Sequence, residues 1–273
     1  MSHTSFGRKI VNAPYLVWTV IFIIVPIVMV ARYAFTDKNG SFTLENIYEL
    51  SRYKETFLIS ILYALIATFI TLLISYPFAY IMSKSRLSTQ KITMLLVMLP
   101  MWMNILIRTY SWMIILENNG IINGIIKNLG GSPVKLIGTP GAVILGMVYN
   151  YLPYMILPLY SVMSKIDNSL LQAAEDLGCN GLSKLKRIIF PLSLPGVVSG
   201  ITMVFVPSIS TFYISQKLGN GKILLIGDAI ERQFNLYNYN LGASISFVLM
   251  LLILLSLFVM NRFTNEDDGG MIV

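Results

Sequence analysis

Six long apolar runs constrain this chain more than any other feature of its sequence. They cover residues Pro14–Ala31, Phe57–Ser83, Ile92–Leu116, Pro140–Ser164, Leu192–Ser215 and Leu241–Asn261. About 20 apolar residues are enough to cross the hydrocarbon core of a bilayer as a helix. Five of the runs contain no Asp, Glu, Lys or Arg, and the third contains only Arg108. We therefore expect an all-α integral membrane protein with six transmembrane helices.

The composition supports the membrane class. Hydrophobic residues make up 55% of the chain and charged residues 12%, and the mean hydropathy is +0.70. Charged residues make up roughly a quarter of a typical soluble domain. Arg8 and Lys9 precede the first run, as in a signal peptide. Because that run is long and no small-residue cleavage pattern follows it, we expect an uncleaved membrane anchor.

Basic residues between the runs indicate the orientation, because Lys and Arg accumulate on the cytoplasmic side. The count is nearly even, but the densest basic connection is Lys84–Lys91, on the same side as the N-terminus. We therefore expect both termini to be cytoplasmic. The net charge of +7 is better explained by topology and lipid headgroups than by nucleic acid. The single cysteine, Cys179, cannot form an internal disulfide.

A polar segment between the fourth and fifth runs, Lys165–Pro191, has the composition of two short helices; we call it the polar island. Asp167 can cap the first helix. Gly178 can end that helix or let another backbone approach. A second amphipathic helix is predicted over Leu182–Ile189, with Pro191 marking its end. The predicted apolar face of the first helix consists of Leu170, Leu171, Ala174, Leu177 and Gly178.

The polar island resembles the EAA motif of binding-protein-dependent ABC importer permeases, which is Glu-Ala-Ala, three residues, Gly, nine residues, Ile, one residue and Leu-Pro. Matching residues are Ala173, Ala174, Gly178, Ile188 and Pro191, whereas Gln172 and Phe190 depart from the pattern. The resemblance implies a type I ABC importer transmembrane domain (MetI-like), whose cytoplasmic coupling helices fit a cleft on a separate ATPase. The residues it assigns to ATPase coupling are Gln172, Ala173, Ala174, Glu175, Asp176, Gly178, Ile188 and Pro191. The alternative is an ordinary amphipathic loop on the lipid surface.

The same resemblance implies three parts of the chain. Residues 1–56 would form the N-terminal tail, the first transmembrane helix and an outer linker. Residues 57–262 would form the type-1 core of five helices with coupling helices at 168–190, and residues 263–273 a cytoplasmic tail.

We expect no enzymatic activity, no catalytic residue, no metal site and no cofactor in this chain. A phosphate-binding Gly-x-x-x-x-Gly-Lys-Ser/Thr motif is absent from the sequence, and Gly219-Asn220-Gly221-Lys222 lacks its spacing. The resemblance implies that ATP and Mg are bound by a cytoplasmic ABC ATPase dimer. It also implies a second six-helix permease subunit (PotC-like), an extracytoplasmic substrate-binding protein and membrane lipid as partners, in a bacterial cell membrane.

Three further segments are similar to PotB-type permeases of spermidine/putrescine importers, namely Arg108–Trp112, Asn118–Asn123 and Lys222–Phe234. This similarity implies polyamines as cargo. Related permeases for iron(III), sulfate and other solutes share parts of the pattern, so another small solute stays an alternative.

A polyamine needs carboxylates for its ammonium groups and aromatic faces along its length. The candidate pathway residues are Glu117, Trp112, Tyr110, Ser208, Ser210, Thr211, Tyr213, Asp228 and Glu231. Aromatic residues also form the ordinary belt at a membrane interface, which is the alternative for most of them. Pro207 is expected to break its helix, so that nearby hydroxyls face a cavity; a kink that only shapes packing is the alternative.

Arg108 is the one ionisable residue within a predicted span. We expect it to have a gating or structural role, because a cation would repel a cationic cargo. An ion-coupled secondary transporter is a competing hypothesis. It is less favoured because such carriers usually hold Asp, Glu or His in their spans, and His3 lies in the N-terminal tail.

Overall fold

The structure is a computed structural model that describes residues 14–268. Arg8, Lys9, His3 and the last two residues of the acidic tail, Gly269 and Gly270, lie outside the described residues. The described helices are α1 (Pro14–Ala34), α2 (Glu45–Glu49), α3 (Lys54–Lys84), α4 (Leu87–Trp102), α5 (Ile105–Leu116), α6 (Ile121–Asn128), α7 (Pro140–Met163), α8 (Asn168–Asp176), α9 (Gly181–Ile209), α10 (Tyr213–Leu218), α11 (Ile226–Asn235) and α12 (Tyr239–Asp268).

Five helices of the described residues are long and apolar enough to cross a membrane: α1, α3, α7, α9 and α12. Helices α4 and α5 form a sixth apolar element together with α6, but a bend of 91° divides it. The prediction of six apolar spans is therefore confirmed, with one of them broken.

The third span is not the single helix that its hydropathy predicted. Met103 and Asn104 have extended backbones between α4 and α5. Pro100 lies in the last turn of α4, and the Asn104 side chain accepts a hydrogen bond from the Leu106 N–H at 2.7 Å, which caps α5. A proline near one end and a cap at the other favour separate helices. The prediction missed this break because both residues lie inside an apolar run.

The prediction that Pro191 ends the second helix of the polar island was wrong. The helix that starts at Gly181 continues through Pro191 to Ile209. A wide turn over Leu185–Ile189, in which the Phe190 N–H bonds to the Leu185 carbonyl, directly precedes the proline. A proline inside a regular helix clashes with the carbonyl four residues earlier, and a widened turn changes that spacing.

Residues 55–228 and 253–268 belong to one compact unit. Within it α7 and α9 pack closely through Gly196 and Gly200, four residues apart. A Cβ added at Gly196 would lie 3.0 Å from the Pro158 carbonyl oxygen. Small residues at this spacing let two membrane helices approach each other. The core beside them includes Met155 and Leu159, both with 0% exposure.

Residues 14–54 and 229–252 belong to the other unit. In this unit the first turns of α12 pack against the end of α1 and the residues that follow it. The Asn240 side-chain amide donates to the Thr36 carbonyl at 2.7 Å, and the Ser244 hydroxyl donates to the Ala34 carbonyl at 2.9 Å. Phe35 and Phe247 add an edge-to-face ring contact at 5.5 Å. These bonds satisfy carbonyl groups that the end of a helix leaves open.

Candidate functional site

The first helix of the polar island is anchored at its N-terminus. The Asp167 carboxylate accepts a hydrogen bond from the Ser169 N–H at 2.9 Å, which is the predicted cap. This hydrogen bond, with a smaller contribution from the positive charge of Lys84, lowers the pKa of Asp167 below its ordinary value. Lys84, at the end of α3, donates to Asn168 Oδ1 at 2.7 Å and to the Ile166 carbonyl at 3.3 Å. The start of α8 is therefore tied to the end of the second span.

Gly178 ends this helix through its backbone conformation. Its φ is +78°, in the left-handed region that favours glycine. The Gly178 N–H bonds to the Glu175 carbonyl at 2.8 Å, and the Cys179 N–H bonds to the Ala174 carbonyl at 2.9 Å. This pair of bonds is the Schellman termination of a helix. No atom lies within 4 Å of a Cβ added there, so within the described residues the glycine serves the turn.

The two helices of the polar island are held together across that turn. Asn180 caps α9 by accepting a hydrogen bond from the Ser183 N–H at 2.8 Å. The Lys184 ammonium forms an ion pair with the Glu175 carboxylate on α8. The predicted sequence of helix, glycine break and helix is confirmed.

The polar island presents apolar side chains outward. Leu170, Leu177 and Leu182 are 50%, 85% and 61% exposed, whereas Ala174 is 6% exposed. Of the predicted apolar face, Ala174 alone is buried, Leu171 is half-buried and the remainder faces outward. Exposed apolar groups around a polar backbone turn suit a protein contact better than free solvent.

The other residues assigned to coupling divide into two groups. Gln172, Ala173, Glu175, Asp176 and Gly178 are exposed on or just after α8. Ile188 is half-buried and Pro191 exposed, both within α9. The coupling residues on and just after α8 therefore form one exposed patch. Ile188 and Pro191 lie apart from it in sequence, within the helix that forms the fifth span.

A second polar contact links the third and fourth spans beside the polar island. The Gln90 amide donates to the Ser83 and Ser85 carbonyls at 3.1 and 2.8 Å, which closes the tight turn between α3 and α4. Its carbonyl oxygen accepts a hydrogen bond from the Tyr160 hydroxyl near the end of α7 at 2.8 Å. Helices α3, α4 and α7 therefore share one hydrogen-bonded junction.

Two of the predicted pathway aromatics come together beyond the broken spans. Tyr110 lies on α5, after the 91° bend, and Tyr213 opens α10, after the end of α9. Their rings meet edge to face with centroids 6.2 Å apart. The Lys217 ammonium lies 5.2 Å from the Tyr110 ring centre and 5.6 Å from that of Tyr213. Trp112 makes a similar ring contact with Tyr149 at 5.4 Å.

The break predicted around Pro207 is present. Helix α9 ends two residues later, at Ile209, and α10 begins at Tyr213. The Tyr151 hydroxyl donates to the Pro207 carbonyl at 3.2 Å. Such bonds replace those lost where a membrane helix is interrupted.

The three hydroxyls expected near the pathway lie in different environments. Ser208 is 0% exposed, and its hydroxyl has no hydrogen-bond partner among the described residues. Ser210 is exposed and donates to the Val206 carbonyl at 3.0 Å. Thr211 is 7% exposed. Within this chain Ser210 is therefore the most accessible of the three.

The charged candidates differ in exposure. Glu117 is exposed directly after α5, as expected for an acid at the end of the third span. Asp228 is 3% exposed and accepts a hydrogen bond from the Leu225 N–H at 2.7 Å, close to the start of α11. Glu231 lies half-buried on α11. Arg108 is 7% exposed, and its Nε and Nη1 have no hydrogen-bond partner among the described residues.

Sequence reasoning missed two lysines. Lys84 was counted only as a topology determinant, and Lys217 was not among the candidate pathway residues. The sequence carried one signal for Lys217, because it lies four residues after Tyr213 and such residues share a helix face. Nothing in the sequence indicated that Lys84 reaches Asn168.

Comparison with known proteins gives a consistent result. Residues 75–265 match the family model described as binding-protein-dependent transport system inner membrane component. The chain is 38% identical over 266 residues to the spermidine/putrescine transport system permease protein PotB of Haemophilus influenzae, covering 93% of each chain. It is 38% identical over 253 residues to PotB of Escherichia coli, covering 89% of this chain and 92% of that one.

More distant similarities extend to another permease and to solved structures. The inner membrane ABC transporter permease protein YdcU of Escherichia coli is 26% identical over 218 residues, with 75% of this chain and 70% of that one covered. A bacterial ABC transporter that imports the acidic polysaccharide alginate matches with a TM-score of 0.76 at 16% identity, over 96% of both chains. At that identity the match shows a shared fold.

Proposed function

The chain belongs to the family of binding-protein-dependent transport system inner membrane components, and on this basis we propose that it forms half of the translocation pathway of an ATP-driven polyamine importer. It is a multi-pass membrane permease subunit. The cargo is spermidine, putrescine or both, delivered by an extracytoplasmic binding protein. The observation that carries the proposal is the 38% identity to a spermidine/putrescine permease over 93% of both chains.

In this proposal a partner protein hydrolyses the ATP. A cytoplasmic ABC ATPase dimer binds ATP and Mg and contacts the polar island through α8. The support is geometric, because Ala173 and Asp176 are exposed beside the outward-facing Leu177. Closure of the ATPase then moves α8, and the Lys84–Asn168 hydrogen bond carries that movement to α3. Both termini lie on the same cytoplasmic side as the ATPase.

The cargo passes between this chain and a second six-helix permease subunit. On this chain the pathway includes Tyr110, Trp112 and Tyr213 with the exposed acid Glu117. Ser208, Ser210 and Thr211 line the interruption of the fifth span, because irregular backbone within a membrane is found where it borders a cavity. Asp228 and Glu231 are further candidate carboxylates, and Arg108 with Pro207 keeps a gating or structural role.

Another cargo is the second candidate. The 26% identity to a permease with no stated cargo, YdcU, shows how far the sequence pattern extends beyond the PotB proteins. Iron(III), sulfate or a similar solute would use the same polar island and the same fold. An ion-coupled secondary transporter acting alone is less favoured, since a polar island of this form would then have no ATPase to contact.

Reconstitution tests the proposal. The chain is placed in proteoliposomes with its ATPase, its second permease and its binding protein, and uptake of radiolabelled spermidine and putrescine is measured with and without ATP. We expect uptake that requires ATP and the binding protein. ATP-driven uptake of another solute, with none of either polyamine, would replace the cargo assignment. Uptake by this chain alone, driven by a proton gradient, would contradict the proposal as a whole.

A further inference from the structure

The Lys217 ammonium occupies the place that a cargo ammonium would take between two aromatic rings. It lies 5.2 Å from the Tyr110 ring centre and 5.6 Å from the Tyr213 ring centre. Both distances fall within the roughly 6 Å at which a cation is attracted by an aromatic face. Tyr213 and Lys217 are one turn apart on α10, so both side chains leave the same helix face.

The Lys217 ammonium also contacts the Tyr110 hydroxyl. The two tyrosines therefore surround the ammonium with aromatic rings and a hydroxyl group. Lys217 is half-buried, whereas 42% of Tyr110 is exposed. A second cation can reach the Tyr110 ring from outside once the lysine moves away.

The position in the fold also favours a pathway. Tyr110 follows the 91° bend of the third span, and Tyr213 follows the interruption of the fifth. The two rings are thus supplied by the two interrupted spans. Interrupted spans are where transporters place their binding sites.

We propose that Tyr110 and Tyr213 form a binding site for an alkylammonium group of the cargo, and that Lys217 fills this site as a tethered competitor while no cargo is present. A cargo ammonium displaces Lys217 and takes its contacts with both rings. The inference rests on the proposed function, because it requires a cationic cargo.

Uptake kinetics of the complete reconstituted complex test this inference. Initial rates of radiolabelled spermidine uptake are measured against the concentration of loaded binding protein for wild type, Lys217→Gln, Lys217→Arg and Lys127→Gln. Removing the competitor should raise the rate at low concentration by about two- to fivefold, as expected for one exposed cation–π contact. Lys217→Arg keeps a cation in the site and should therefore give no such gain. Lys127→Gln removes an exposed charge from α6 and should match wild type.

A double substitution separates competition from a general charge effect. Tyr110→Leu should lower uptake at low concentration, and adding Lys217→Gln to it should restore none of the loss, because the contested site no longer exists. Equal or lower uptake by Lys217→Gln alone, or the same gain in the Tyr110→Leu background, overturns the inference while leaving the polyamine assignment intact. Absence of spermidine uptake by the wild-type complex overturns the proposed function and this inference with it.

Discussion

The Lys84 ammonium donates a hydrogen bond to Asn168 Oδ1 at 2.7 Å, which ties the last residue of the second span to the first residue of α8. The same ammonium reaches the Ile166 carbonyl at 3.3 Å. The third and fourth spans lie between these two residues in the sequence, so the bond joins helices that are distant along the chain. This hydrogen bond links α8 to α3 directly.

Loss of the Lys84–Asn168 hydrogen bond should uncouple ATP hydrolysis from transport. In Lys84→Gln we expect ATPase activity of the complex to persist while cargo uptake per ATP falls several-fold, since hydrogen bonds of this kind contribute about 1 kcal/mol. The measurement is the ratio of cargo moved to phosphate released. Lys91→Gln, an exposed base on the same side, is the control. An unchanged ratio in Lys84→Gln would show that the Lys84–Asn168 hydrogen bond does not couple ATP hydrolysis to transport.

Gly178 should tolerate substitution according to backbone preference and not according to size. A left-handed conformation costs a residue with a Cβ roughly 1–2 kcal/mol, and Asn bears it better than most. Nothing within 4 Å opposes a side chain there. We therefore expect Gly178→Val to lose coupled uptake and Gly178→Asn to retain most of it, with both inserted normally in the membrane.

Gly181 supplies a matched control for this series, because its added Cβ also meets nothing within 4 Å and its φ is not positive. Gly181→Ala should keep wild-type uptake. Full uptake in Gly178→Val would show that the Schellman turn is dispensable.

Gly196 should tolerate substitution according to size. A Cβ there would already lie 3.0 Å from the Pro158 carbonyl oxygen and 3.1 Å from Val162 Cγ2. Overpacking of this kind costs about 1–3 kcal/mol. Gly196→Leu should lower the thermal unfolding midpoint of the purified complex in detergent. Gly124→Ala, where the added Cβ meets nothing within 4 Å, should not lower it, and equal midpoints for wild type and Gly196→Leu would contradict close packing of α7 and α9.

Lys135 should react with amine reagents at a lower pH in wild type than in Lys222→Gln. Its contact with the Lys222 ammonium, and the positive charge of that group, lower the pKa of Lys135 below its ordinary value. A lowered pKa leaves more of the reactive neutral amine at any pH below it. Acetylation followed by mass spectrometry across a pH series should show Lys135 modified at a lower pH in wild type than in Lys222→Gln. A pH profile for Lys135 unaffected by Lys222→Gln would refute the pairing.

Hydropathy predicted the spans well because burial in lipid depends on the average of many residues. It could not distinguish a straight span from one broken at Met103, since the residues that break it contribute little to that average. Local chemistry predicted the Asp167 cap and the Gly178 turn, because both depend on neighbours in sequence. The contacts of Lys84 with Asn168 and of Lys217 with Tyr110 depend on how distant helices pack. Only the structure could provide them.

Contact between the polar island and a separate ATPase can be measured directly by thiol cross-linking. A single cysteine is placed at the exposed position Ala173 in a Cys179→Ser background, and the active reconstituted complex is treated with a short bifunctional thiol and amine reagent. We predict a cross-linked product that contains this chain and the ATPase subunit, and none from a cysteine placed at Ser41. An active complex that yields no ATPase product from position 173 or from Asp176→Cys would show that the polar island does not contact the ATPase.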